Sequence, residues 1–241
     1  MIAKAIFFDV DFTLIYPGRM FGGEGYRSFG ERHGMALDAS ACERGVASAA
    51  SLLENPGETY DAEVFVQYAA HIIEQMGGGS GERVMTCARE IYDEWAACHH
   101  FELYDEVPAV FRELVGSGMR IGLISNTHRS LASFESHFEL TGLIAAAVAS
   151  SEHGYMKPHP SIFKAALRLM DVPAAEAVMI GDSIRQDIEG ALAVGMRAVL
   201  LHRAGEPHPR ERELSVRGVP IVRSLSEIAS ALSALAGPPA Y

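Results

Sequence analysis

Two carboxylates stand two residues apart in Asp9-Val10-Asp11-Phe12-Thr13, where the apolar run of residues 4–9 gives way to a loop. At a strand end, both can reach one point above the sheet edge. One can then bind a cation and attack an electrophile, while the other handles protons. A polar strand end with Thr13 starting the next element would use the same letters, so the pattern needs company. Three other apolar runs supply it. Ile121–Ile124 ends in Ser125-Asn126-Thr127, a hydroxyl and an amide able to hydrogen-bond an anionic group, although either also suits a helix N-cap. After a third run comes Gly154-Tyr155-Met156-Lys157-Pro158-His159-Pro160. Lysine is scarce, occurring only at 4, 157 and 164, and Lys157 is held between Met156 and Pro158 at a helix start. Finally, Val178-Met179-Ile180-Gly181-Asp182-Ser183 leads to Asp187: an acid just past a strand, a glycine permitting close approach, and a second acid five residues on. Hard carboxylate oxygens of this kind are what Mg²⁺ selects.

The elements that must carry these groups alternate. Strands are expected at residues 4–9, 119–124, 143–148, 177–180 and 198–201, with an edge strand at Ile221-Val222. Helical patterns at 107–115, 130–137, 161–170 and 184–194 separate them, and a last helix spans 225–235. Strand–helix alternation implies a parallel sheet covered on both faces, and Pro108 and Pro160 suit first helical turns. The fold class is α/β, a Rossmann-like parallel sheet. Residues 1–14 and 105–241 form this core, and residues 15–104 form an insertion after the first strand. The insertion reads as all helix: Phe65, Tyr68, Ala69, Ile72, Ile73 and Met76 recur at helical spacing, as do Val84, Cys87, Ala88, Ile91, Trp95 and Cys98. Gly77-Gly78-Gly79-Ser80-Gly81 lacks the ending of a phosphate loop and follows a helix, so it reads as a helix–helix connection. Ligands of open parallel sheets bind beyond the carboxyl ends of the strands. The insertion leaves at that edge and is expected to act as a lid.

Composition sets limits on partners. The chain has 241 residues and a formal charge of −11, which argues against a nucleic-acid surface. No run reaches the length of a membrane span, and the first residues lack the pattern of a signal peptide. Three cysteines without metal-ligand rhythm suit a reducing compartment, and the cytoplasm is the expected location. An acidic protein repels an anionic substrate, so a metal ion and a few local cations must do the attracting.

Taken together, the four strand ends resemble the four motifs of the haloacid dehalogenase superfamily, in order and on the same kinds of elements. The resemblance covers essentially the whole chain, including a helical cap after the first motif, as in phosphoglycolate phosphatase-like members. It implies a Mg²⁺-dependent phosphatase acting on a small phosphate ester such as a phosphoglycolate-, sugar phosphate- or nucleotide-like metabolite. Asp9 would attack phosphorus and form an aspartyl-phosphate, and Asp11 would protonate the leaving oxygen and later deprotonate the hydrolytic water. The Asp9 carboxylate, the Asp11 carbonyl and Asp182 would hold the metal, with Asp187 orienting its water and Thr13 in support. Ser125, Asn126 and Lys157 would bind the phosphoryl oxygens. Phe12 departs from the glycine many family phosphatases have there, which bears on substrate shape. Relatives that cleave carbon–halogen bonds typically lack the second aspartate, so Asp11 favours phosphorus. Phosphonate hydrolases of the family use a cap lysine, and residues 15–104 contain none. A sugar-phosphate mutase or a non-catalytic scaffold on the same fold are the remaining readings. Arg129 and Arg185 read as supporting or exposed residues, His99 and His100 as the end of a cap helix. Arg19 and Arg27 are candidates for a second anionic group of the substrate. Oligomeric state is not set by the sequence.

Overall fold

The computed structural model describes residues 3–54, 57 and 59–236. The chain divides into two compact units, one of residues 1–15 and 103–241, the other of residues 16–102.

The first unit is built on a six-stranded sheet. Its strands are β1 (Ala5–Phe8), β4 (Arg120–Ser125), β5 (Ile144–Ala149), β6 (Ala177–Gly181), β7 (Arg197–Leu201) and β8 (Ile221–Val222). Two further strands, β2 (Ile15–Pro17) and β3 (Phe101–Leu103), pair separately where the chain passes between the units. The order is β5-β4-β1-β6-β7-β8, and the neighbours pair in parallel. β1 is central because all four of its side chains are apolar and fully buried, as a strand covered on both faces requires. Alternation sends Phe7 and Phe8 to opposite faces. Phe7 joins a cluster with Ile162, Phe163 and Met179, whereas Phe8 packs at 4.9 Å against Phe111 of the helix Val107–Gly116. Pro108 and Pro160 both sit in first helical turns, where no amide partner is lost.

Strand order reverses at β1, since the chain runs outward to β4 and β5 before returning to β6 on the other side. Register does the rest. Phe8 lies opposite Leu123 and Ile180, so Asp9, Ser125 and Asp182 leave the sheet within about one residue of the same level.

The second unit carries helices Gly23–Arg32, Cys42–Glu54, Ala62–Ile73 and Glu82–Trp95. Asp38 and Asp61 cap the segments that follow them by accepting from Ser40 and Glu63 amides. The expected stripe on Ala62–Ile73 is rotated: Val66 and Ala70 are buried with Ala69, Ile72 and Ile73, whereas Phe65 and Tyr68 are only partly covered. The glycine run ends this helix, with Gly77, Gly79 and Gly81 all in the positive-φ region. The reading of residues 15–104 as all helix is corrected by β2 and β3, each only three residues long and too short to show alternation. No described helix is long and apolar enough to cross a membrane.

Candidate active site

At the carboxyl end of β1, Asp9 is fixed through its backbone, whose N–H donates to the Ile180 carbonyl at 2.9 Å. Its carboxylate meets the Lys157 ammonium at 2.6 Å, and the same ammonium reaches Asp187 at 2.7 Å. All three are buried. Asp182 completes the group: ligand oxygens of Asp9, Asp182 and Asp187 lie within 4.8 Å of one another. Three carboxylates against one ammonium leave an excess of two negative charges when all are ionised. The titration behaviour follows. Burial, then the neighbouring Asp11 charge, raise the Asp9 carboxyl above its ordinary range despite Lys157. Burial, then Asp9, push Asp187 up to about 6. Asp182 is also pushed up, by loss of solvation and by the Asp9 and Asp187 charges. Asp182 is itself exposed, and both neighbouring carboxylates act on it in the same direction. Burial alone would favour neutral Lys157, but Asp187 and Asp9 more than offset it and keep the ammonium charged.

The Asp187 position depends on a missing side chain. A Cβ on Gly181 would sit 2.2 Å from the Asp187 Oδ2, so only glycine leaves the carboxylate room. The same Oδ2 accepts from the Ser183 amide at 3.0 Å.

Asn126, expected to bind a phosphoryl oxygen, is tied to the lysine loop. The Lys157 backbone N–H donates to Asn126 Oδ1 at 2.7 Å, which fixes the amide's orientation. Asn126 Nδ2 then donates to the Lys157 carbonyl at 3.0 Å and to Gln186 Oε1 at 3.1 Å. Both amide hydrogens are committed. The side chain clasps the lysine loop, and a direct side-chain bond to an anion would require releasing that clasp. Ser125 and Thr13 are the opposite case: each hydroxyl is buried without a hydrogen-bond partner among the described residues. An unsatisfied buried hydroxyl costs about 1–3 kcal/mol, which a ligand or water offsets.

Asp11 turns to a different partner. Arg129 Nη1 donates to both of its carboxylate oxygens, at 3.0 and 3.2 Å. Between the two acids' turn and Thr13, Phe12 adopts φ 64° and is 42% exposed, an unusual backbone state for a bulky residue.

The model of the haloacid dehalogenase-like hydrolases matches residues 3–195. The chain belongs to that family. The resemblance seen in the four strand ends is thereby borne out, as is the α/β fold. Among relatives of this hydrolase, the human haloacid dehalogenase-like hydrolase domain-containing protein 3 is 26% identical, covering 89% of this chain and 88% of its own. A phosphoserine phosphatase of Thermus thermophilus is 31% identical over 58% of this chain and 55% of its own. A haloacid dehalogenase hydrolase structure from Bacillus subtilis, bound to magnesium, superposes with a TM-score of 0.75 at 16% identity, covering 97% of this chain and all of that one.

Two readings are open for Arg129 in this hydrolase, supporting or exposed, and the side chain is fully buried against Asp11. A signal existed in its place three residues after Asn126, but its partner Asp11 is 118 residues away in sequence. Arg27 is engaged elsewhere, with Glu24 and Glu31 on its own helix. His159 caps the helix Pro160–Leu169 by accepting from the Ser161 amide, and stacks on Tyr155 at 4.3 Å. His100 follows the cap helix in a separate turn and bonds Glu94 at 2.8 Å.

Proposed function

We propose that this hydrolase is a magnesium-dependent phosphatase that cleaves small phosphate monoesters through an aspartyl-phosphate on Asp9, in the cytoplasm. The observation that carries the reading is the cluster at the strand ends: Asp9 held by Lys157, with Asp182 and Asp187 close enough to share a cation. Asp11 supports phosphorus over carbon as the electrophile, and a relative bearing the name phosphoserine phosphatase points the same way.

The donor set suits Mg²⁺. Its oxygens are hard, and the excess of two negative charges equals what one divalent ion neutralises. The Asp9 and Asp182 carboxylates and the Asp11 carbonyl would hold the ion, with Asp187 in support. When bound, it would offset charge on the phosphoryl oxygens as they approach an acidic site.

Lys157 orients the Asp9 carboxylate and opposes the charge of the incoming group. An Asp9 oxygen bonds to phosphorus while the bond to the ester oxygen breaks, and Asp11 gives that oxygen a proton. Asp11 then takes a proton from water, whose oxygen bonds to phosphorus and releases inorganic phosphate and free Asp9. Ser125 donates its hydroxyl hydrogen to a phosphoryl oxygen, and Thr13 supports the turn. Asn126 acts by holding Lys157 in place. Catalysis is mostly positioning and electrostatics. We assign residues 1–14 and 105–241 to the catalytic core and residues 15–104 to a cap that selects the substrate.

The test is phosphate release from a panel of small esters, with Mg²⁺ or with chelator, by wild type and Asp9→Asn. Metal-dependent release that disappears in the variant is expected. Release that persists in chelator, or in Asp9→Asn, would refute the proposal.

A further inference from the structure

We propose that Arg129 is a positioning residue that sets where Asp11 delivers and collects its proton; this rests on the phosphatase reading above. The guanidinium is completely buried, whereas the Asp11 side chain keeps 17% of its surface. One nitrogen, Nη1, lies at nearly equal distance from both carboxylate oxygens, at 3.0 and 3.2 Å. A bond shared this evenly fixes both the position and the tilt of the carboxylate. Each end of the pair is itself held. The Arg129 backbone N–H donates to Thr127 Oγ1 at 3.0 Å, and the next residue, Ser130, caps the helix Leu131–His137 by accepting from Ser133. On the other side, the turn carrying Asp11 is closed by Phe12 N–H to the Ile15 carbonyl at 2.7 Å and Leu14 N–H to the Val10 carbonyl at 2.8 Å.

A buried guanidinium loses its solvation, and apolar replacements often serve stability as well or better. Its place against both carboxylate oxygens of the proposed acid therefore points to a task on Asp11. Proton transfer requires the donor at hydrogen-bond distance from the leaving oxygen, and an aspartate on a loop gains that only if something immobilises it.

The distinguishing property is dependence on the leaving group. Nitrophenyl phosphate expels a stable anion and needs little proton assistance; an alkyl phosphate needs much. We would measure kcat for both esters with wild type, Asp11→Asn, Arg129→Met and Arg129→Lys, with circular dichroism to establish folding. Arg129→Met is expected to lose at least about tenfold more on the alkyl ester than on the nitrophenyl ester, in the same direction as Asp11→Asn. Arg129→Lys should remove part of that difference. Should Arg129→Met not fold, Arg129→Lys against wild type gives the same comparison with a smaller split. An even loss on both esters, with Asp11→Asn still discriminating, would overturn the role of Arg129 and leave the phosphatase reading standing. A wild type that releases phosphate from neither ester, nor from the wider panel, would remove both.

Discussion

The two units of the chain bury different things. In the α/β unit, the buried side chains include Asp9, Arg129, Lys157 and Asp187, with the hydroxyls of Thr13 and Ser125. Among the described residues 16–102, the buried side chains are apolar or aromatic, such as Phe29, Val66, Ile72 and Ile91, plus the free thiols of Cys42, Cys87 and Cys98. Charges of the helical unit pair at its surface instead, as Arg89 does with Glu63 and Arg32 with Glu90. Exposed pairs of this sort contribute little to stability, and a buried ion costs several kcal/mol before its partner repays it. Stability alone gives no reason for the α/β unit to concentrate buried charge at the ends of β1, β4 and β6. Chemistry does. The contrast supports placing the proposed reacting groups in the α/β unit, while the described core of the other is packing alone.

That contrast can be broken in several places. Lys157→Met should have the largest effect, because it leaves Asp9 and Asp187 buried without their cation. A loss of about 3–5 kcal/mol is expected in urea unfolding without metal, together with loss of phosphate release. A stability change near zero would mean that the ammonium does not hold the carboxylates. Ile72→Ala, in the core of the helical unit, should cost about 2–5 kcal/mol yet leave kcat for nitrophenyl phosphate near the wild-type value. A collapse of kcat in a variant that remains folded would erase the division between the units.

A third, smaller effect concerns pH. Asp187, pushed up to about 6 from 3.8, keeps a proton in the folded chain that the unfolded chain has already lost. Asp9 and Asp182 shift the same way. Between these values the native state binds more protons, so without metal this group's contribution to stability falls as pH rises toward about 6. Above that, Asp187 no longer has a proton for the metal to displace. The rise in Tm on adding Mg²⁺ should therefore grow from about pH 5 to about pH 7.5, as thermal unfolding with and without the ion would show. A rise that shrinks over this range would contradict the assignment of the metal to these acids. The smallest effect is expected from Phe12→Gly. Its left-handed backbone suits glycine, so the variant should fold, keep its metal dependence and change only its ranking of esters. Loss of metal dependence would show that Phe12 shapes the cation site.

Much of this arrangement was legible from sequence because short apolar runs ending in polar residues mark strand ends, and parallel register brings such ends together. Asp9, Ser125 and Asp182 belong to that class. So does Lys157, conspicuous in a chain with so few lysines. What stayed hidden depends on contacts between distant residues. The committed amide of Asn126 is recognisable only once Lys157 and Gln186 stand beside it, and the burial of Arg129 only once Asp11 does. The strands β2 and β3 were missed for a local reason: three residues cannot display a period of two. The rotated stripe on Ala62–Ile73 reflects a choice between two adjacent apolar faces, which neighbouring helices settle.

The central claim is that Asp9 forms a covalent bond to phosphorus, and acid-quenched turnover followed by mass spectrometry of the Asp9 peptide tests it most directly. With a phosphate ester and Mg²⁺, the account predicts a phosphoryl group on Asp9 that appears and clears in wild type and persists longer in Asp11→Asn. Phosphate released at a steady rate, with no phosphorylated Asp9 at any time in either protein, would contradict it.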